Sequence, residues 1–396
     1  MHVMKSHGHL LGATLLVAGT SIGVGILALP VATAAGGFLP SLLVYILAWL
    51  FMLSTGLLIL EACVWHPKGS NLITLTNHLL GKAGKIACWI LYLYLFYCLI
   101  VAHLASGGNA VHIATLGFIP KWLGVIIYTF LFAPVVYLGT LWVDRLNMTL
   151  MAGVIVTYLL FIITGVPFVD FSLLKGMHWN KAFLALPVVF TAFGYQNLVP
   201  TLVTYLKGDV GKVRFAILMG TMLTLVIYLI WQFTILGIIP LEGPNGLAEA
   251  LKMGSNAVAP LGQHLEKAFL STVGQVFAFF VMTTSFIGIA IAFVDFLADG
   301  LKVKKTGWSK LGICLLIFAI PMIITLINPE IFIRALSLAG GLGVALLLGI
   351  MPILMIWRGR YSLKLPKIKE RLPGGKLLLI ALFAFAILEL LIEFVF

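Results

Sequence analysis

The chain has 396 residues, of which 62% are hydrophobic and only 10% charged, and its mean hydropathy is +1.14. A soluble domain needs about 25% charged residues to cover its surface. The composition therefore excludes a soluble globular protein and indicates a single polytopic membrane domain over 1–396. The net charge of +12 does not indicate nucleic acid as a partner, because the basic residues lie in short segments between apolar runs. The four cysteines (Cys63, Cys88, Cys98 and Cys314) have neither disulfide nor metal-site spacing, which predicts small buried apolar side chains.

Eleven apolar runs have the ~20 residues that a membrane-spanning helix requires. We call them spans one to eleven, with expected limits of 10–36, 40–65, 86–106, 121–142, 146–167, 181–206, 213–238, 268–298, 309–328, 331–357 and 375–396. The runs lack the alternation of barrel strands, so the sequence predicts an all-α membrane protein. Most of the 25 Lys and Arg residues lie on one set of connecting segments. The positive-inside rule therefore predicts a cytoplasmic N-terminus and a C-terminus on the opposite side.

Spans one and six both contain residues that interrupt a membrane helix. Span one contains "GTSIGVGILALP" (Gly19–Pro30), and span six contains "TAFGYQNLVPTL" (Thr191–Leu202). Five spans precede span six, which is an odd number, so the second unit must enter the membrane in the opposite sense. The matching interruptions predict an inverted-repeat transporter. Its first five-helix repeat is expected at 5–168 and the inverted repeat at 177–358, with 375–396 as an extra eleventh helix.

The chemistry of an interrupted helix favours a binding site. Glycine tolerates unwound backbone, and proline cannot donate a backbone hydrogen bond. The freed N–H and C=O groups cannot face lipid, so they must line a cavity or contact protein. A free helix N-terminus suits a carboxylate, and opposing carbonyl groups suit an ammonium group or a small cation. A zwitterionic amino acid satisfies both. The alternative is that the glycines form a helix-packing face.

The sequence also resembles a known family. The stretches "GATLLVAGTSIGVGILALPVATAAGG", "LLILEACVW" and "TSFIGIAIAFVDFLADG" resemble the bacterial hydroxy and aromatic amino acid permeases. The tyrosine-specific permeases are the nearest subgroup and the tryptophan permeases the next. The resemblance implies a leucine-transporter fold with five-plus-five inverted repeats, in which helices one and six are unwound in mid-membrane. It further implies a secondary carrier of the bacterial inner membrane with a periplasmic C-terminus. Such a carrier imports an aromatic amino acid, above all L-tyrosine, together with a proton or sodium ion. No cofactor and no obligate protein partner are implied.

The resemblance also implies substrate-binding residues. In this fold the substrate carboxylate lies against the unwound part of helix one, and the amino group and side chain meet helix six. An aromatic residue of helix three, Tyr97, is expected to close one wall. The candidates on spans one and six are Thr20, Ser21, Ile22, Gly23, Gly25, Phe193, Gly194, Tyr195, Gln196 and Asn197.

A candidate sodium site follows from the same resemblance. Sodium-coupled relatives hold the ion between carbonyl groups of helix one and hydroxyl groups of helix eight. The matching groups are the carbonyls of Gly19, Ile22 and Val281 and the hydroxyls of Thr284 and Ser285. Proton-coupled relatives resemble this stretch as well, so the coupling ion stays open. Serine and threonine hydroxyls in membrane helices also commonly bond a carbonyl of their own helix.

Ionisable residues inside spans are costly, and each is a candidate for a gate or for proton coupling. Glu61, near the end of span two, is expected to pair with a basic loop residue, with a proton relay as the alternative. His103 either couples protons or is a buried neutral histidine.

Charged residues near the ends of spans eight and ten are further gate candidates. Asp295 and Asp299 lie on one face of span eight and are interpreted as gate or anchor charges at its cytoplasmic end. Arg334 lies four positions after Glu330, which predicts a local ion pair, with an external gate as the alternative.

Other function classes fit the sequence less well. A metal-ion carrier would need an acid in the break of span one and sulfur in span six. No acid occurs between Leu10 and Phe38, and no Met or Cys between Lys181 and Leu206. Neither an HExxH motif nor a P-loop occurs, which disfavours an integral-membrane enzyme and ATP-driven transport. A passive channel is the remaining alternative of a different class.

Overall fold

The computed structural model describes residues 2–66, 70–261, 268–368 and 371–395, and this part of the chain is helical without a β-strand. Ten helices are long and apolar enough to cross a membrane, and a bent pair supplies the eleventh span. The spans are His9–Ser21 with Gly25–Gly36, Phe38–Val64, Leu72–Ala114, Lys121–Leu138, Leu146–Phe168, Trp179–Tyr205, Val210–Ile238, Phe269–Leu301, Gly307–Ile327, Phe332–Ser362 and Gly375–Phe394. The predicted all-α class and the count of eleven are confirmed.

Span three differs most from its predicted limits. It begins at Leu72 rather than near residue 86, and it runs for 43 residues to Ala114. The Asn71 side chain caps its start by accepting a hydrogen bond from the Thr74 amide at 2.9 Å. The helix bends at Gly81, where φ is +79°. At 1.5 Å per residue the helix is about twice as long as the ~30 Å hydrocarbon core is thick, so its polar first part lies outside the apolar layer.

Spans one and six are both interrupted, as the glycine and proline pattern predicts. The two halves of span one are bent by 51° at a break between Ser21 and Gly25. The first half of span six is a helix over Leu186–Ala192, and the second is a helix over Val199–Tyr205. A single 3-10 turn, Gln196–Leu198, follows the break in span six. Pro200 lies in the first turn of the second half, where its missing N–H costs nothing.

Close helix packing around the broken spans depends on small residues. The first half of span one packs on span seven, where a Cβ at Gly220 would lie 2.6 Å from Cβ of Val17. Span ten packs on the first half of span six, and a Cβ at Gly340 would lie 1.7 Å from the carbonyl oxygen of Pro187. Span ten takes a π-helical course over Ala339–Ile350. Such stretches are rare and often mark functional regions.

The segment between spans seven and eight folds over span one. It contains a short helix, Leu247–Lys252, followed by buried residues Asn256, Ala257 and Val258. The Ala257 amide donates a hydrogen bond to the Leu27 carbonyl at 2.9 Å. This segment therefore covers the second half of span one.

Candidate functional site

The broken spans one and six meet at their interruptions. A Cβ at Gly25 would lie 2.9 Å from Cα of Ala192, so the absence of a side chain allows the two backbones to touch. Tyr228 of span seven lies against both breaks. Its hydroxyl oxygen is 2.7 Å from the Ser21 carbonyl oxygen and 2.8 Å from the Ala192 carbonyl oxygen. A phenol has one hydrogen to donate, so Tyr228 donates to one carbonyl at a time and holds the two broken ends together.

The break in span one leaves a helix N-terminus inside the protein. The Gly23 amide donates to the Ser21 carbonyl at 2.9 Å, and the Ile26 amide donates to the Gly23 carbonyl at 3.2 Å. Within the described residues, the intervening amides of Val24 and Gly25 donate to no other group, and no side chain caps this end. Free amides at the positive end of a helix dipole can accept a carboxylate.

The predicted hydroxyl groups of span one are bonded within their own helix. Thr20 Oγ1 donates to the Leu16 carbonyl at 2.7 Å, and Ser21 Oγ donates to the Val17 carbonyl at 3.3 Å. Thr20 is exposed, whereas Ser21 is buried and Ile22 half-buried. The polar atoms available at this break are therefore mainly those of the backbone.

Span six presents one aromatic residue to the break. The Phe193 ring packs edge-to-face on Tyr228, with ring centroids 5.1 Å apart, and on Tyr45 at 6.4 Å. Gly194 is half-buried, and the nearest atom to a Cβ built there is the Thr191 carbonyl oxygen at 3.3 Å. An apolar aromatic surface therefore borders the backbone of the break.

The side chains of the next three candidates on span six, Tyr195, Gln196 and Asn197, point in different directions. The Tyr195 hydroxyl donates to the Met52 carbonyl at 3.3 Å, and Gln196 Nε2 donates to Thr55 Oγ1 at 3.1 Å. Gln196 Oε1 accepts from the Tyr195 amide at 2.9 Å, which satisfies one of the freed backbone groups. The Tyr195 and Gln196 side chains thus fasten the break to span two, whereas Asn197 is exposed.

Span eight contacts the break of span one through a predicted ion ligand. Ser285 lies so close that a Cβ at Gly23 would be 2.6 Å from its hydroxyl oxygen. Thr284 Oγ1 donates to the Val281 carbonyl at 3.4 Å, so these two candidates are bonded to each other within the helix. Gly19 is half-buried, with the Met151 side chain as its nearest neighbour. The structure thus brings Ser285 directly to the break, whereas Thr284 is its neighbour in the sequence and Val281 lies one turn before it.

The face of span eight that carries Ser285 becomes exposed toward Asp299. Val281 is buried and Ser285 half-buried, whereas Gly288, one turn further, is exposed with open space around it. Asp299 at the end of this face is exposed, as are Thr20 and Asn197 beside the breaks. Along this face of span eight, exposure therefore increases from Val281 toward Asp299.

Fully buried contacts join the helices one turn beyond Tyr228 on span seven. Trp231 packs against Phe161 and Phe277, with ring centroids 4.9 Å apart in both pairs, and all three rings are fully buried. Next to them, the Tyr45 hydroxyl donates to Gln232 Oε1 at 2.7 Å, and Gln232 Nε2 donates to Thr33 Oγ1 at 2.7 Å. These contacts join the second half of span one to spans two and seven.

Tyr97 and His103 are the two candidate residues on span three. The Tyr97 hydroxyl donates to the Leu316 carbonyl of span nine at 3.3 Å, and its ring packs on Phe293 of span eight. Tyr97 thus contacts spans eight and nine, and its role as a wall of the site stays a prediction. His103 is fully buried, its Nδ1 lies 2.6 Å from the Leu99 carbonyl oxygen, and its Nε2 has no partner. Nδ1 must carry the hydrogen to make this bond, which fits the buried neutral alternative.

Two groups of charged candidate residues form ion pairs. Glu61 accepts two hydrogen bonds from Arg360, at 2.8 Å from Nε and 2.5 Å from Nη2, and both side chains are 2% exposed. The predicted pairing of Glu61 with a basic residue is confirmed, but the partner lies at the end of span ten rather than in a loop. Lys305 Nζ lies 2.7 Å from Asp295 and 3.1 Å from Asp299. Desolvation acts to lower the pKa of Lys305, but its bonds to the two carboxylates outweigh that effect and raise it.

The expected local pair of Glu330 with Arg334 is wrong. Glu330 lies 2.9 Å from Lys121 Nζ at the start of span four, and Arg334 lies 3.0 Å from Glu393 on span eleven. The helix of span ten begins only at Phe332, so the two residues do not share a helical face. Both charges instead connect span ten to neighbouring spans.

Several buried polar groups were not predicted. Glu389 and Glu393 lie one turn apart on span eleven and are both buried. Glu393 Oε2 accepts from the Ser337 hydroxyl at 2.6 Å, whereas both Glu389 oxygens lack a partner. Ser106 and Asn109 on span three also have buried side-chain atoms without a partner. The two acids within the last apolar run could have been identified from the sequence as unusual. The sequence does not distinguish Tyr228 from the other aromatic residues of the membrane helices.

Comparisons with known proteins agree with this architecture. A family model described as the tryptophan/tyrosine permease family matches residues 6–393. A tryptophan-specific transport protein of Haemophilus influenzae is 30% identical, and the alignment covers 99% of this chain and 97% of that protein. The tyrosine-specific transport system 1 of the same organism is 29% identical, with 97% and 96% covered.

A solved structure supports the fold. The crystal structure of MhsT in complex with L-phenylalanine superimposes with a TM-score of 0.69 over 97% of this chain and 98% of that chain, at 15% identity. This likeness, together with the two broken spans, shows the leucine-transporter fold. The relatives are named transport proteins, so the chain is not an enzyme. It belongs to the tryptophan/tyrosine permease family.

Proposed function

We propose that this permease imports an aromatic amino acid by cation symport, with L-tyrosine as the first substrate to test and L-tryptophan as its equal competitor. The observation that carries the proposal is the meeting of two broken membrane helices at Gly25 and Ala192, next to free amides at a helix N-terminus. Those amides bind the substrate carboxylate. The Phe193 and Tyr228 rings beside the break supply apolar surface for an aromatic side chain.

The choice between tyrosine and tryptophan rests on competition, because relatives of both names resemble the chain to the same extent. Purified permease in proteoliposomes should accumulate labelled L-tyrosine. Unlabelled L-tryptophan and L-phenylalanine should each be added in excess. If tryptophan abolishes the uptake of labelled tyrosine and phenylalanine does not, the result would favour a tryptophan permease. If neither tyrosine nor the other labelled aromatic amino acids are taken up, the proposal is rejected.

For the coupling ion, we propose either sodium or a proton. The carbonyls of Gly19, Ile22 and Val281 and the hydroxyls of Thr284 and Ser285 are neutral oxygen ligands, which suit a hard monovalent cation. The contact of Ser285 with Gly23 supports a site that spans both helices. Uptake should be driven separately by an imposed sodium gradient and by an imposed pH gradient. Equal uptake with and without either gradient would indicate a passive carrier or channel.

Orientation is part of the proposal. The Lys and Arg distribution supports a cytoplasmic N-terminus in the bacterial inner membrane and a periplasmic C-terminus. With this orientation, Asp299 at the end of span eight lies on the cytoplasmic side. The repeats are then 5–168 and 177–358, with span eleven outside them. Cysteine labelling from either side of the membrane tests this assignment.

A further inference from the structure

A cavity lies at the ends of spans two and ten, away from the broken helices. Its volume is about 330 Å³, and it is bounded by the ends of spans two and ten and by the segment that follows span ten. Four of the residues that line it are cationic, and one is acidic. These residues are Glu61, Arg360, Lys364, Lys367 and Arg371.

The cavity has a surplus of positive charge. Among the described residues that line it, Glu61 is the one acid, and it is already bonded to Arg360. Lys364, Lys367 and Arg371 form no ion pair with any carboxylate of the described residues. Within the part of the chain that the structure describes, three cationic side chains therefore converge on one cavity without a carboxylate bonded to them.

Arg360 has unused hydrogen-bonding capacity. Its Nε and Nη2 atoms bond Glu61, and Nη2 also donates to the Leu372 carbonyl at 3.3 Å. Its Nη1 atom is buried and has no hydrogen-bond partner. The N–H groups of Nη1 can donate to a phosphate oxygen, and buried donors are normally satisfied. Within the described residues no acceptor oxygen reaches Nη1, so a ligand oxygen could take that place.

The walls of the cavity are held in place by specific contacts. Trp65 Nε1 donates to the Pro366 carbonyl at 2.9 Å, and the Leu365 amide donates to the Gly359 carbonyl at 2.9 Å. A Cβ at Gly359 would lie 2.4 Å from the Trp65 ring, so glycine allows the indole to pack against span ten. The segment that carries Lys364 and Lys367 is thus fastened to the ends of spans two and ten.

We propose that this cavity binds a phosphate group, and that its ligand is the headgroup of an anionic phospholipid. The cavity is of the size that holds small ligands. Its lining residues lie at the ends of spans two and ten or in the segment that follows span ten, which places them near the level of the lipid headgroups. Lysine and arginine clusters at that level attract anionic lipids. Free inorganic phosphate shares the chemistry and is the alternative source of the ligand.

The test measures thermal unfolding of the purified full-length permease in detergent. Phosphatidylglycerol, phosphatidylcholine and inorganic phosphate are titrated separately. Phosphatidylglycerol should raise the midpoint temperature, whereas phosphatidylcholine should not. A rise of equal size with both lipids would overturn the proposal, as would no rise with any ligand. A rise with inorganic phosphate alone would retain the phosphate site and assign it to the free ion.

Variants connect the effect to this cavity. Each lysine near an anionic surface contributes about a fivefold change in affinity. The double variant Lys364→Gln/Lys367→Gln should therefore bind phosphatidylglycerol about thirtyfold more weakly, while the Glu61–Arg360 pair stays intact. The matched control is Lys302→Gln/Lys304→Gln, which removes two exposed lysines after span eight. Full binding by the first double variant, or equal loss in the control, would overturn the assignment.

Discussion

The hydroxyl oxygen of Tyr228 lies 2.7 Å from the carbonyl oxygen of Ser21, the last helical residue before the break in span one. The same hydroxyl lies 2.8 Å from the carbonyl oxygen of Ala192, the last helical residue before the break in span six. One side chain of an unbroken helix therefore holds the ends of both broken helices. Any movement that separates those ends must release at least one of these contacts.

Replacing Tyr228 with phenylalanine should lower aromatic amino acid uptake by about tenfold. The variant keeps the ring that packs on Phe193 but loses a hydrogen bond worth about 1 kcal/mol, and it leaves a buried carbonyl unsatisfied. Uptake into proteoliposomes is the measurement. Tyr158→Phe is the matched control, because its hydroxyl bonds the Ile227 carbonyl of span seven and neither broken end. Equal uptake by the Tyr228 variant and wild type would show that the hydroxyl does not contribute.

Replacing Gly23 with alanine should reduce uptake by tenfold or more without preventing membrane insertion. The new Cβ would lie 2.6 Å from the Ser285 hydroxyl oxygen and 3.3 Å from its Cβ, so the Ser285 hydroxyl must turn away from the break or span eight must shift. The double variant Gly23→Ala/Ser285→Gly removes this clash and should recover part of the loss if the hydroxyl is not needed. Gly312→Ala is the control, because no atom lies within 4 Å of its Cβ position. An active Gly23→Ala protein would contradict the assigned site.

The breaks in spans one and six are predictable because clustered glycine, proline and polar residues at matching positions favour an interrupted membrane helix. Side-chain directions are not predictable in the same way. Span three is apolar around its circumference, so its pattern does not show that Tyr97 faces Leu316 rather than the breaks. The spacing of Glu330 and Arg334 indicates a pair only if one helix contains both, and the helix begins between them. Tertiary contacts decide both outcomes.

Exchanging glutamate for glutamine should have opposite effects at two positions of span eleven. Glu389 is buried without a hydrogen-bond partner, so Glu389→Gln removes a carboxyl group that cannot ionise there without large cost. The midpoint temperature of this variant should match or exceed that of wild type. Glu393→Gln weakens the contacts with Arg334 and Ser337 and should lower it. Thermal unfolding in detergent measures both, and destabilisation of the Glu389 variant alone would contradict this expectation.

Breaking the buried pair of Glu61 and Arg360 should destabilise the protein strongly. Glu61→Gln leaves the buried guanidinium without a counter-charge, which typically costs about 3–5 kcal/mol. The double variant Glu61→Leu/Arg360→Leu removes both charges and should be less destabilised than Glu61→Gln. Midpoint temperatures of the two variants give the comparison. A double variant that unfolds at a lower temperature than the single one would show that the pair itself supplies net stability.

The hydrogen bond from the Ala257 amide to the Leu27 carbonyl joins a connecting segment to a helix next to the break. If the second half of span one tilts to admit a solute, the connecting segment must move with it, or the Ala257–Leu27 hydrogen bond must break first. We therefore expect this segment to influence the rate at which the entrance beside it opens. Substitutions there alter turnover without touching the solute.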